Sequence, residues 1–251
     1  MRCQYFHQSV NNLPKNLTHL TFIGLFNQNI DNLPETIIYL HFDDKFNQNI
    51  DNLPENLTEL TLGIHFNKIV KNLPKSLIKL TINGSFNNTL REQVKSLNNL
   101  TYLFFGFNFN QKIDIESKYI RYLSFGFRFN QPINILPENL THLTFGECFN
   151  KTINMLPESL TCEKLNKYFD NSIILPKNIK ELYIYSDNAL LNNLPENIEK
   201  IFIIHNGNKP IKKMDNWPIT IKEIIISDIC IKKFITKIPF GAIISIMKIN
   251  L

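Results

Sequence analysis

The side chains of this 251-residue chain that most resemble catalytic or metal-binding groups are two histidines and one acidic pair. His19 and His142 occupy the same place in two copies of Leu-Thr-His-Leu, so they follow from an internal repeat rather than from the spacing of metal ligands. Asp43 and Asp44 could mimic a carboxylate pair, but adjacent residues of a strand point to opposite faces. We expect a turn at that acidic pair and predict that none of the four residues is catalytic.

The sequence lacks other motifs that carry chemistry. It contains no G-x-x-x-x-G-K-[ST], G-x-G-x-x-G, H-E-x-x-H or G-x-S-x-G segment. Cys3, Cys148, Cys162 and Cys230 have no C-x-x-C spacing, which indicates neither a zinc site nor a disulfide framework and favours a reducing location. We therefore expect a protein that is not an enzyme and that holds no metal and no cofactor.

A repeat sets the elements that must position any functional side chain. A Phe-Asn pair recurs every 20 residues, and such a period is typical of a solenoid whose coils bury apolar residues against one another. We expect the Phe to fill the coil and the Asn amide to bond backbone groups of the next coil, so that the amides form a ladder. The pairs with this structural role are Phe26-Asn27, Phe46-Asn47, Phe66-Asn67, Phe86-Asn87, Phe109-Asn110, Phe129-Asn130 and Phe149-Asn150.

Each repeat unit contains the parts of one thin coil. The segment Leu140-x-x-Leu143-x-Phe145 is too short for a helix, and its alternation fits one short parallel strand. Pro137 lies on the other side of the same coil, where its fixed φ suits the first position of a helical or 3₁₀ turn. Because about 20 residues cannot hold a strand, a full helix and two loops, we expect little helix.

The repeat also predicts how the chain is divided. We expect one repeat domain over residues 1–251, with regular repeats over 6–157, degenerate repeats over 158–228 and a C-terminal cap over 229–251. The first unit begins at Phe6.

Two places depart from the regular pattern. The interval Phe86–Phe109 is 23 residues long and lacks the proline, so we expect a bulged or more helical turn around 91–96. After Phe149 the pattern fades: Glu163 stands where the repeat has Leu, and Phe169-Asp170 replaces Phe-Asn. A uniform solenoid is expected to fail first at these positions.

These motifs resemble the FNIP repeat, which is named for the Phe, Asn, Ile and Pro that stand here as Phe46, Asn47, Ile50 and Pro54. That family is related to leucine-rich repeats and is known mainly from social amoebae and from giant viruses that infect amoebae. The resemblance implies a leucine-rich-repeat-like solenoid, an α/β-class horseshoe or right-handed coil stack, with short parallel β-strands.

Leucine-rich repeats often bind partners through the concave side of their strands, so the outward strand positions are of most interest. These positions are rich in aromatic residues, which typically anchor protein interfaces. Cross-strand stacking that only stabilises the sheet is the alternative, and the sequence leaves both open. The candidate binding residues are Tyr39, His41, Tyr102, Phe104, Tyr122, His142, Tyr183 and Tyr185.

We therefore expect a non-catalytic scaffold that binds an unidentified protein through this face. A net charge of +5 motivates the alternative of a nucleic-acid or anionic-surface binding module, although the lysines are dispersed along the chain. A carbohydrate-active β-solenoid enzyme is a third hypothesis, and it would need acidic residues gathered on one face.

The start of the sequence has no apolar leader, and no apolar run approaches the roughly 18 residues of a membrane span. We expect a cytoplasmic protein, in the host cytoplasm if it is viral. Some FNIP proteins carry an F-box before the repeats, which would link them to ubiquitin ligases. Because Phe6 already belongs to the first repeat, no such resemblance is expected here.

Overall fold

The computed structural model describes residues 2–3, 10–153, 155–165, 174–205, 207, 211 and 213–247. The predicted repeat positions Phe6, Phe169 and Asp170 lie outside this part of the chain. Where it is described, the chain winds into a solenoid with one short strand per coil of about 20 residues, which confirms the predicted fold class.

The described strands form a 13-stranded parallel sheet in which each strand pairs with the next one along the chain. The register advances by one repeat per strand, so Leu20 lies beside Leu40 and Leu40 beside Leu60. The strands are β1 (Arg2–Cys3), β2 (His19–Phe22), β3 (Tyr39–Phe42), β4 (Glu59–Leu62), β5 (Lys79–Ile82), β6 (Tyr102–Phe105), β7 (Tyr122–Ser124), β8 (His142–Thr144), β9 (Cys162–Lys164), β10 (Glu181–Tyr185), β11 (Lys200–Ile204), β12 (Glu223–Ile226) and β13 (Ile243–Ile246).

A proline turn precedes most strands and fixes where each one begins. The carbonyl of Pro34 accepts a hydrogen bond from the N–H of Ile37 at 3.1 Å, and that of Pro137 accepts one from Leu140 at 3.1 Å. Proline is tolerated at the first position of this turn because the bond uses its carbonyl oxygen and does not need the N–H that proline lacks. The same four-residue turn starts at Pro14, Pro54, Pro74, Pro157, Pro176, Pro195, Pro218 and Pro239.

The core consists of apolar columns that run from coil to coil. The inward-facing leucines of successive strands are fully buried, as Leu20, Leu40 and Leu60 illustrate. The rings of the repeated Phe residues stack on their neighbours at centroid distances of 5.9–6.3 Å. Since each stacked pair adds about 0.5–1.5 kcal/mol beyond the area that it buries, the column stabilises every coil contact that it crosses.

The asparagine that follows each of these Phe residues forms a ladder beside the column. The backbone N–H of Asn47 donates to Oδ1 of Asn27 at 2.8 Å, and that of Asn67 donates to Oδ1 of Asn47 at 3.0 Å. The same bond recurs at Asn87, Asn110, Asn130 and Asn150. Each amide therefore satisfies one backbone donor of the next coil.

Helical structure is confined to short segments of the described chain. Helix α1 (Arg91–Lys95) lies in the long unit, as the sequence predicts, and 3₁₀ segments occur at Val10–Asn12, Ala189–Asn192 and Ile229–Phe234. That last segment and β13 belong to the region predicted as a cap, and β13 continues the register of β12. Within the described residues, no helix has the length and apolarity that crossing a membrane requires.

One strand places a carboxyl group in the core. Glu163 of β9 lies in register between Leu143 and Leu182 of the neighbouring strands. Its side chain is completely buried, and neither carboxyl oxygen has a hydrogen-bond partner in the described structure. Desolvation by burial raises the pKa of Glu163 to about 8. The residue thus takes the place of a core leucine without compensation from neighbouring polar groups.

Candidate functional site

The sheet has one face towards the core and one face towards solvent, which we call the exposed sheet face. Its side chains alternate with the buried residues along most strands and are half-exposed on most of them. Two rows cross this face from coil to coil. The first row is His19, Tyr39, Glu59, Lys79, Tyr102, Tyr122, His142, Cys162, Glu181, Lys200 and Glu223. The second row is Thr21, His41, Thr61, Thr81, Phe104, Ser124, Thr144, Lys164, Tyr183 and Phe202.

Four aromatic side chains meet near the middle of this face, and we call Tyr102, Phe104, Tyr122 and His142 the central aromatic cluster. The ring of Tyr122 stacks between those of Tyr102 and His142, with centroid distances of 4.3 Å on both sides. The ring of Phe104 lies 6.4 Å from that of Tyr102. Because the ring faces pack on one another, the cluster offers mainly ring edges and polar tips to a ligand.

The electrostatics of the cluster keep it uncharged near neutral pH. Desolvation and the neighbouring Tyr102 hydroxyl raise the pKa of Tyr122 above its usual range. Desolvation lowers the pKa of His142, and the more distant Glu181 only partly opposes that effect. The Nδ1 atom of His142 also lies 2.9 Å from the hydroxyl of Thr141. The cluster is therefore a neutral surface that can donate and accept hydrogen bonds.

The other predicted binding residues lie on the same face but outside the cluster. Tyr39 stacks on His19 at 5.7 Å, and His41 is in the second row. Tyr183 stacks on Phe202 at 3.8 Å.

Tyr183 and Tyr185 alternate with the buried residues of β10 but occupy different positions of the repeat. The positions that match His142 and Thr144 on β10 are Glu181 and Tyr183. Tyr185 lies farther along the strand, beside Ile204.

Cys162 lies between His142 and Glu181 in the first row, an order that would suit an activated thiol. Desolvation, followed by the charges of Glu181 and Glu163, instead raises the pKa of Cys162 to about 11. The thiol is therefore protonated at neutral pH, whereas a nucleophile must be a thiolate. This arrangement offers no activated nucleophile.

The acidic pair Asp43-Asp44 lies at the turn after β3, as expected. Oδ2 of Asp43 accepts a hydrogen bond from the backbone N–H of Gly24 at 3.1 Å, which ties that turn to the preceding coil. Across the residues that the structure describes, no three His, Cys, Asp or Glu side chains are grouped so that they could hold a metal ion.

The sequence reasoning missed a second set of exposed apolar side chains, which follow the ends of the strands. Phe107 and Phe127 are exposed, and their rings stack at 4.8 Å with an angle of 3°. The signal in the sequence is Phe-Gly-Phe at 105–107 and again at 125–127. The Phe before each glycine, Phe105 or Phe125, is buried in the core, whereas the Phe after it is exposed.

Comparison with known proteins agrees with this architecture. The sequence model described as FNIP Repeat matches residues 26–65, 46–85, 109–148 and 129–162. A solved structure described as "CroV588 a novel circular LRR protein structure" is similar over 93% of this chain, with 32% sequence identity and a TM-score of 0.69. The match covers 40% of that protein, so the present chain spans less than half of its length. No curated protein sequence matches.

Proposed function

From the premise that this chain is a protein of FNIP repeats with a leucine-rich-repeat-like fold, we propose that it is a non-catalytic scaffold. It binds another protein through the exposed sheet face, and the central aromatic cluster is the anchor of that interface. The observation that carries this proposal is the position of four half-exposed aromatic side chains in adjacent coils, near the middle of the sheet.

The chemistry of the cluster suits a protein partner. Tyrosine rings supply a large contact area with little conformational entropy to lose, and their hydroxyls satisfy polar groups that an interface buries. Interface hot spots are enriched in such residues and lie near the centre of the contact. The neutral state of Tyr122 and His142 avoids the cost of burying a charge.

A nucleic-acid partner fits the same surface less well. Proteins that bind single strands stack bases on free aromatic faces, but the ring of Tyr122 is already stacked on both sides. The first row intersperses Glu59, Glu181 and Glu223 with Lys79 and Lys200, and Lys200 is paired with Glu223, so the row offers phosphates no continuous basic surface. These contacts favour the protein hypothesis over the basic-surface hypothesis.

Affinity capture with a matched control tests the proposal. The triple variant Tyr102→Ala/Phe104→Ala/Tyr122→Ala should lose the captured partner while its circular dichroism stays that of the native chain. Tyr183→Ala/Phe202→Ala removes another stacked pair of the same face, outside the cluster, and should keep the partner. Retention of every captured protein by the folded triple variant would refute the assignment of the cluster as the anchor.

A further inference from the structure

A gap interrupts the row of side chains that follows the strands. The row runs through Asp44, Ile64, Gly84, Phe107 and Phe127, and each of these backbone carbonyls accepts a hydrogen bond from the next coil at 2.6–2.9 Å. Gly84 has no side chain, so the row leaves a notch between Ile64 and Phe107. An open cavity of about 550 Å³ lies here.

The fold itself maintains this notch. A Cβ atom at Gly84 would lie 2.2 Å from the carbonyl oxygen of Ile64, and the φ of Gly84 is +58°. Both conditions disfavour any other residue, so close stacking of these coils requires glycine at this position. Gly84 therefore contributes only backbone to the lining of the cavity.

Apolar side chains form the two walls of the notch. Ile64 is 47% exposed and Phe107 is 49% exposed, which leaves much apolar area uncovered beside an opening. On one side, the ring of Phe107 packs on that of Phe127, and the guanidinium carbon of Arg128 lies 5.6 Å from the centre of the Phe107 ring. On the other side, towards Gly84, no side chain of this row covers Phe107.

Acidic groups lie at the other end of the same cavity. The lining of the cavity includes two acidic residues, Asp43 and Asp44, and no Lys or Arg. Two coil steps of about 4.8 Å separate Asp44 from Gly84, so a cation can lie about 10 Å from a side chain that fills the notch. Acidic and apolar surfaces together are complementary to a segment that carries an aromatic and a basic residue.

We propose that the notch at Gly84 binds an aromatic side chain of the partner protein, which enters between Ile64 and Phe107. A Lys or Arg two or four positions away on the same segment pairs with Asp43 and Asp44, since alternate residues of an extended chain share a face. This inference rests on the proposed function and adds to it the chemistry of the partner. His41 lines the same cavity and connects it to the exposed sheet face.

The test uses two short peptides, acetyl-Phe-Ser-Lys-amide and acetyl-Phe-Ser-Glu-amide, titrated into the full chain. Methyl NMR should show a saturable shift of the Ile64 δ1 methyl in the millimolar range. The lysine peptide should bind about two- to fivefold more tightly, as expected for one exposed ion pair. Phe107→Ala should weaken both peptides at least fivefold, whereas Ile69→Ala, at an exposed apolar residue that does not line the cavity, should have no effect.

The variant Asp43→Asn/Asp44→Asn should keep binding but lose the preference for lysine. The proposal is overturned if the Ile64 methyl does not shift, if Phe107→Ala leaves both affinities unchanged, or if the two peptides bind native protein equally. If these titrations fail while the central-cluster variant still loses its partner, the notch is not a binding site and the proposed function stands. If the titrations succeed while the central-cluster variant keeps its partner, the central cluster is not the anchor.

Discussion

Replacement of Glu163 by leucine should stabilise the solenoid, and the gain should depend on pH. In the folded chain this carboxyl group lies between Leu143 and Leu182 with no hydrogen-bond partner in the described structure. Its pKa of about 8 lies far above the usual value of 4.5 because burial disfavours the charged form. The folded state therefore binds the proton more tightly than the unfolded state does.

The sign of the pH dependence follows from this difference. The stability of the native chain is least affected below pH 4.5 and falls as the pH rises towards 8, because unfolding then releases a proton. Between pH 4.5 and pH 7 the folded state loses about 1.4 kcal/mol of stability for each pH unit. The penalty at pH 7 is therefore about 3 kcal/mol. A leucine removes this penalty and adds the burial of an apolar side chain, about 1.5–3 kcal/mol.

Urea denaturation at pH 5, 6, 7 and 8 measures the effect. The midpoint of Glu163→Leu should exceed that of the native chain at every pH, and the difference should grow between pH 5 and 8. Glu163→Gln removes the charge but keeps a buried polar group, so it should flatten the pH dependence with a smaller gain. Glu181→Gln, on the exposed face of the next strand, is the control and should change little. If the native chain and Glu163→Leu show the same pH dependence over this range, burial does not raise the pKa of the Glu163 carboxyl group.

Three further predictions concern the ladder, the glycine contacts and the thiol. Asn67→Ala removes the acceptor of the Asn87 N–H and should cost about 1 kcal/mol in urea denaturation, and an unchanged midpoint would show that the ladder contributes nothing. Gly126→Ala places a Cβ 2.0 Å from the carbonyl oxygen of Gly106 and should cost about 3 kcal/mol of stability or prevent folding. Gly207→Ala, with open space around it, is the control and should be neutral. Equal melting temperatures of the two variants would refute the close coil contact. Cys162 should react with iodoacetamide at pH 7 at least tenfold more slowly than N-acetylcysteine, as followed by mass spectrometry, because its pKa is about 11; an equal rate would contradict its desolvation.

Much of the fold could be predicted because the repeat encodes it directly. The Phe-Asn pairs mark one coil each, and a turn that begins at a proline precedes most strands. The three extra residues between Phe86 and Phe109 had to be accommodated outside the strand, and helix α1 accommodates them. Local sequence was sufficient at these places because each feature depends on contacts within one coil or with the next.

Other features could not be predicted because they depend on register or on the space between coils. Beyond Phe149 there is no regular pair from which to count, so the pairing of Glu181 and Tyr183 with Cys162 and Lys164 is seen only in the structure. The notch at Gly84 involves the close approach of its backbone to that of Ile64 in the preceding coil, a contact between coils that the local sequence around Gly84 does not reveal. Glu163 was visible as a substitution, but the sequence did not reveal that its carboxyl group lies unpaired in the core.

The central claim, that the aromatic cluster anchors a protein partner, is tested most directly by the dissociation constant of a captured partner. We predict that Tyr102→Ala/Phe104→Ala/Tyr122→Ala raises this constant at least about 100-fold, because hot-spot residues contribute about 2 kcal/mol or more and 1.4 kcal/mol is tenfold. Tyr183→Ala/Phe202→Ala should leave it within about threefold of the native value, which corresponds to less than 1 kcal/mol. A folded triple variant that binds with the native constant would contradict the account.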